Sequence, residues 1–142
     1  MPFTGLRLRA SKPLDPAYPR ELKTLGSHLR KRRLDLGLLQ REVAEQIGVS
    51  KDTYRLWESN ATHPLPRQWP GIISFLDYQP SLAEDSFGAR LRGTRLSRGL
   101  TQLAVSIILG VDPGSVSRWE TRGKRPREDI EERVLHWLRG SQ

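Results

Sequence analysis

Cysteine is absent from the 142 residues, which excludes a disulfide framework and any thiolate metal site. Histidine is scarce. His28, His63 and His136 lie far apart with no paired ligand spacing, so each reads as a surface or half-buried side chain and no metal is expected. Long apolar runs are missing: Leu100 to Val111 is too short to span a bilayer and is interrupted by Thr101, Gln102 and Ser106. The opening "MPFTGLRLRAS" lacks the apolar core of a signal peptide, so an intracellular, cytoplasmic protein is expected. No phosphate-cradling glycine loop and no nucleophile motif occurs, and the acids Asp129, Glu131 and Glu132 share a helix with an apolar opposite face. Neither enzymatic activity nor a cofactor is expected.

Acidic residues are outnumbered. Sixteen Asp and Glu face 24 Lys and Arg, giving a net charge of +8 and an isoelectric point near 10.6. That balance calls for an anionic partner, either nucleic acid or a membrane surface. The membrane alternative lacks the long basic amphipathic helix it needs.

What the chain does contain is a repeat. Shifting the sequence by 62 residues pairs Gly26–Leu76 with Gly88–Leu138, and fifteen of those 51 pairs are identical. The identities include Leu29/Leu91, Arg33/Arg95, Gln40/Gln102, Val43/Val105, Gly48/Gly110, Trp57/Trp119 and Glu58/Glu120. The period is too long for a solenoid and suits two small helical domains in tandem. Thr24 is a suitable N-cap for a helix ended by Gly37, with Leu25, Leu29 and Leu36 on or near one face. The spacing then predicts a helix over 40–47 with Val43, Ala44 and Ile47 inward, stopped by Gly48. Ser50 caps a third helix carrying Tyr54 and Trp57 inward. Asp112, followed by Pro113 at the first helical position, serves in the second copy. Closing helices are expected near 70–78 and 126–139.

A helix, a short glycine-containing turn and a second helix also fit any small bundle. The residues are more specific than the pattern. "LDLGLLQREVAEQIGVSKDTYRLWES" and "LSRGLTQLAVSIILGVDPGSVSRWET" resemble the phage Cro/C-repressor, or XRE, family of DNA-binding domains. The resemblance rests on Gly-Leu-x-Gln, Val-Ala, Gly-Val-Ser and Trp-Glu. It implies an all-α protein with two tandem lambda-repressor-like helix-turn-helix bundles, 24–78 and 87–139. These are joined by a linker at 79–86 and preceded by a flexible basic arm at 1–23. The implied function is sequence-specific binding of double-stranded DNA, as a prokaryotic transcriptional regulator at the nucleoid. A helical interaction module, such as an antitoxin or a mobile-element adaptor, is the alternative.

The resemblance also distributes roles. Gln40 and Gln102, which open the second helix, are implied phosphate contacts, as are Ser59 and Arg122 after Trp-Glu. The third helix is the reading element. Its outward residues are Lys51, Asp52, Thr53, Arg55 and Leu56 in the first copy, and Pro113, Gly114, Ser115, Ser117 and Arg118 in the second. Arg118 has the geometry for guanine, whereas Gly114 permits close approach. Arg33 with Glu58, and Arg95 with Glu120, are implied inward ion pairs.

One face breaks the repeat. Arg41, Glu42, Glu45 and Gln46 become Leu103, Ala104, Ile107 and Ile108, leaving a helix apolar nearly all round, as expected when both sides are covered. The expectation is that this stripe is buried by the first domain, by the arm or by a second chain in a homodimer. The linker with its flanking residues, nine or ten in all, reaches only about 33 Å, which favours a compact arrangement.

Overall fold

The computed structural model describes residues 17–80 and 86–140. Among the described residues there are eight α-helices and no strand, so the expected all-α class holds. They are α1 (Leu25–Asp35), α2 (Gln40–Ile47), α3 (Lys51–Glu58), α4 (Trp69–Leu76), α5 (Phe87–Ser97), α6 (Gln102–Leu109), α7 (Pro113–Thr121) and α8 (Glu128–Leu138). A 3-10 turn, Pro66–Gln68, leads into α4. Most of the expected arm and linker, residues 1–16 and 81–85, lies outside the described residues. The described end of the arm is tied down: Tyr18 Oη donates to Asp35 Oδ1 on α1 at 2.8 Å.

The helix boundaries follow local chemistry. Thr24 and Ser27 bond reciprocally at the start of α1, satisfying two otherwise orphaned donors. Leu36 only caps this helix and is 46% exposed, not inward as expected. Helix α4 stops two residues before the expected Tyr78, because Asp77 adopts a left-handed conformation with φ 68°. His28 is buried and not at the surface. Its Nδ1 lies 2.6 Å from Tyr78 Oη, and burial lowers its pKa.

Two clusters of buried side chains result. Leu29, Val43, Tyr54, Trp57 and Ile72 centre the first; Leu91, Val105, Leu109, Val116 and Val134 centre the second. Trp57 and Trp119 are core residues, as their spacing predicts. Each first helix reaches the end of its third helix through a glycine. A Cβ on Gly26 would stand 2.4 Å from the Glu58 carbonyl oxygen, and one on Gly88 2.3 Å from that of Trp119. The main chains leave no room for a methyl group.

The halves pack compactly, but not through the apolar stripe. Helix α4 and the 3-10 turn lean on α5, and Leu96 of α5 joins the first cluster. Gln79 Nε2 donates to the Gly93 carbonyl at 2.6 Å, and Pro70 Cγ would lie 3.2 Å from a Cβ on Gly99. Leu103, Ile107 and Ile108 are 57, 71 and 53% exposed, with Ala104 half-buried. The expected interdomain burial of this stripe is therefore corrected: the seam has its own apolar residue, Leu96, on a different helix.

The ion pairs are buried as expected. Glu58 and Glu120 side chains are each 1% exposed. Arg33 meets Glu58 in a fork, Nε to Oε2 at 2.6 Å and Nη2 to Oε1 at 3.0 Å; Arg95 meets Glu120 likewise at 2.7 and 2.8 Å. The remaining nitrogen of each fork donates to the turn after the first helix, at the Leu38 carbonyl (3.2 Å) or the Leu100 carbonyl (3.0 Å). Glu58 receives more. Tyr54 Oη donates to it, and Arg30 Nε approaches within 3.5 Å. Val116 stands where Tyr54 would repeat. Burial works to raise the Glu58 pKa, but hydrogen bonds from Arg33, Tyr54 and Gln40 outweigh it and hold the group below its ordinary value. This stabilisation is complete above the ordinary carboxylate pKa and is lost as pH falls through the lowered one.

Two outcomes are expected in urea unfolding. Gly88→Ala lowers stability by about 1–3 kcal/mol, because the added methyl meets main chain that has to move; an unchanged midpoint contradicts that packing. Arg95→Met costs about 3–5 kcal/mol by stranding a buried carboxylate, whereas Arg33→Met costs distinctly less because Tyr54 and Arg30 still serve Glu58 beside the glutamine that each site has. Equal losses would show that the extra donors contribute nothing.

Candidate nucleic-acid interface

The connection between α2 and α3 is three residues, Gly48, Val49 and Ser50. Gly48 takes φ 89°, and Val49 N–H returns to the Ala44 carbonyl at 2.9 Å. Val49 packs against the first cluster, and Ser50 Oγ accepts from Thr53 N–H at 3.1 Å. The second connection repeats this. Gly110 takes φ 69°, Val111 N–H bonds the Ser106 carbonyl at 2.9 Å, and Asp112 accepts from Gly114 N–H at 3.0 Å. Each turn redirects the chain so that the following helix buries one face and leaves the other open.

On α3, Tyr54 and Trp57 face inward while Lys51, Asp52 and Arg55 are exposed. Asp52 Oδ1 lies 3.7 Å from Arg55 Nε, a solvent-facing pair of little energetic weight. Thr53 is half-buried, and its hydroxyl accepts from Ser50 Oγ at 2.9 Å, so it belongs to the helix cap as well as to the open face. Leu56 is half-buried.

On α7, Pro113 and Arg118 are exposed, and Gly114, Ser115 and Ser117 are half-buried. Arg118 Nη2 donates to Ser115 Oγ at 3.1 Å, and its Nη1 would lie 3.0 Å from a Cβ on Gly114. Gly114 thus makes room for the guanidinium of its own helix. The fork is held over the first turn of α7 with donors to spare.

The two glutamines join this surface to the buried ion pairs. Gln40 Nε2 donates to Glu58 Oε1 at 3.2 Å, and Gln102 Nε2 to Glu120 Oε1 at 3.1 Å. A primary amide carries two N–H donors. One is used internally, which fixes the side chain; the other remains at the start of α2 or α6, where the helix dipole favours an anion. Ser59 is exposed, but its hydroxyl donates to the Leu56 carbonyl at 3.1 Å. Arg122 is exposed just past α7.

A basic loop was not singled out in the sequence. Residues 122–127 hold Arg122, Lys124, Arg125 and Arg127. Arg125 lies over the Phe87 ring, 4.6 Å from its centroid, and pairs with Glu131 at 2.9 Å. Arg127 pairs with Asp129 at 3.4 Å. Arg122 and Lys124 have no ion-pair partner among the described residues. The charge run itself was the available signal. The aligned stretch of the first half, 60–65, has no Lys or Arg at all, so positive charge beside the third helix gathers in the second half.

Among the described residues no helix is long and apolar enough to cross a membrane, and no group of acids and histidines is placed to hold a metal. No curated protein and no solved structure matches the chain. Residues 29–82 match the helix-turn-helix family model. This segment, which begins within α1, takes in α2 to α4 and contains the Gly48–Ser50 turn, is similar to helix-turn-helix domains of the Cro/C1 type.

Proposed function

We propose that the protein binds double-stranded DNA sequence-specifically through two tandem helix-turn-helix domains, 24–78 and 87–139, as a prokaryotic transcriptional regulator at the nucleoid. The observation that carries this reading is the repeated chain of contacts from arginine to glutamate to glutamine. It holds Gln102 against Glu120 as it holds Gln40 against Glu58, with the same atoms and nearly the same distances. Gln40 and Gln102 then meet phosphate with the remaining amide hydrogen. Arg122 and Lys124 add contacts beside α7. Lys51, Asp52, Arg55, Ser115, Ser117 and Arg118 face the major groove. The role involves neither catalysis nor a cofactor.

Base and phosphate roles separate in a binding assay over a panel of duplexes. Arg118→Ala is expected to relax preference at one base position, costing about 1–3 kcal/mol there. Lys124→Ala weakens every duplex alike and lowers the slope of log affinity against log salt by about one. Indistinguishable profiles would overturn the assignment.

The bare stripe on α6 favours a second reading, in which Leu103 and Ile107 pack against a second copy of the chain. Leu103→Glu with Ile107→Lys should then halve the mass measured by light scattering. An unchanged mass leaves the stripe as surface.

A further inference from the structure

The contact between the halves joins unlike surfaces. The first half contributes its closing segment: Arg67 and Pro70 beside Gly99, and Gln79 bonded to the Gly93 carbonyl at 2.6 Å. The second half contributes its opening helix, α5, with Gly93, Leu96 and Gly99. In the register of the repeat, closing helix meets opening helix. Among the described residues no contact of like extent joins α8 back to α1. A two-fold relation would need that reciprocal contact, because it places the same pair of surfaces together twice. The relation is head-to-tail.

The sequence is fitted to make this contact once. At Gly93 a Cβ would stand 3.1 Å from Gln79 Nε2. The aligned residue of α1 is Lys31, bonded instead to Asp35 at 2.7 Å. On α8 two acids, Asp129 and Glu132, stand where Arg67 and Pro70 flank the seam. Neither outer surface repeats the residues of the seam, so the pair has a direction.

That direction bears on DNA. Two equivalent dockings on a straight B-form duplex are related in only two ways. A two-fold across the helix axis gives inverted half-sites, and the screw of the duplex gives half-sites repeated along one strand. The head-to-tail seam is incompatible with the two-fold. The geometry points to an operator whose two half-sites lie in the same orientation, a direct repeat and not a palindrome. This rests on the reading that both halves dock on DNA.

The natural reading faces differ, so orientation is hidden until both helices read alike. In one variant, Lys51→Pro, Asp52→Gly, Thr53→Ser, Arg55→Ser and Leu56→Arg give α3 the outward face of α7. The reciprocal variant carries Pro113→Lys, Gly114→Asp, Ser115→Thr, Ser117→Arg and Arg118→Leu. Circular dichroism melting selects whichever folds, and bound sites are selected from random duplexes beside the unaltered chain. The expected consensus is one short motif occurring twice on the same strand, bound about 100-fold or more tighter than a duplex with one copy reversed. An inverted repeat, or a single copy, overturns the proposal. Failure of the unaltered chain to enrich any site would instead overturn the DNA-binding reading beneath it.

Discussion

A carboxylate taken out of water must be neutralised and hydrogen-bonded, and the structure is arranged around doing this twice. Glu58 and Glu120 project from the ends of α3 and α7 into sites that solvent barely reaches. Removing a charge from water costs several kcal/mol unless a partner of good geometry offsets it. The arginine fork from the first helix supplies that geometry, and its third nitrogen ties the following turn. One buried charge therefore fixes first helix, turn, second helix and third helix together. The glutamine at the surface is aimed by the same carboxylate, so the rigidity of the interior is transmitted to the atom that meets solvent.

The two networks are not equal. Tyr54 and Arg30 support Glu58, whereas Glu120 relies on Arg95 and Gln102. The outer surfaces diverge in the opposite sense, with most of the cationic side chains beside α7. Half-by-half, the better-buttressed unit carries the less basic face. The two halves thus share a buried frame and differ in their outer residues.

Close approach between main chains governs the rest. Gly26 and Gly88 let α1 and α5 meet the ends of α3 and α7. Gly93 admits Gln79, and Gly114 admits the guanidinium of Arg118. At Gly26 and Gly88 the absence of a side chain is the interaction, since a single carbon would occupy space already filled by main-chain atoms, whereas at Gly93 and Gly114 the neighbours are side-chain ends that can shift.

The helices, their caps and the inward residues were legible from the sequence because they obey local rules. Thr24, Ser50 and Asp112 bond donors within a few residues, and Val43, Tyr54 and Trp57 recur at helical spacing. The Arg33–Glu58 and Arg95–Glu120 pairs came from a resemblance, since 25 residues separate the partners and no periodicity links them. Tertiary structure alone decided which surfaces join the halves. The stripe of Leu103, Ile107 and Ile108 is the more apolar candidate in the sequence, yet Leu96, Gly93 and Gly99 make the contact. Composition records how much apolar surface a helix has. It does not record where a glycine lets another chain segment come close, because that depends on the path of a backbone distant in sequence. The direction of the pair was settled by the same three-dimensional fit.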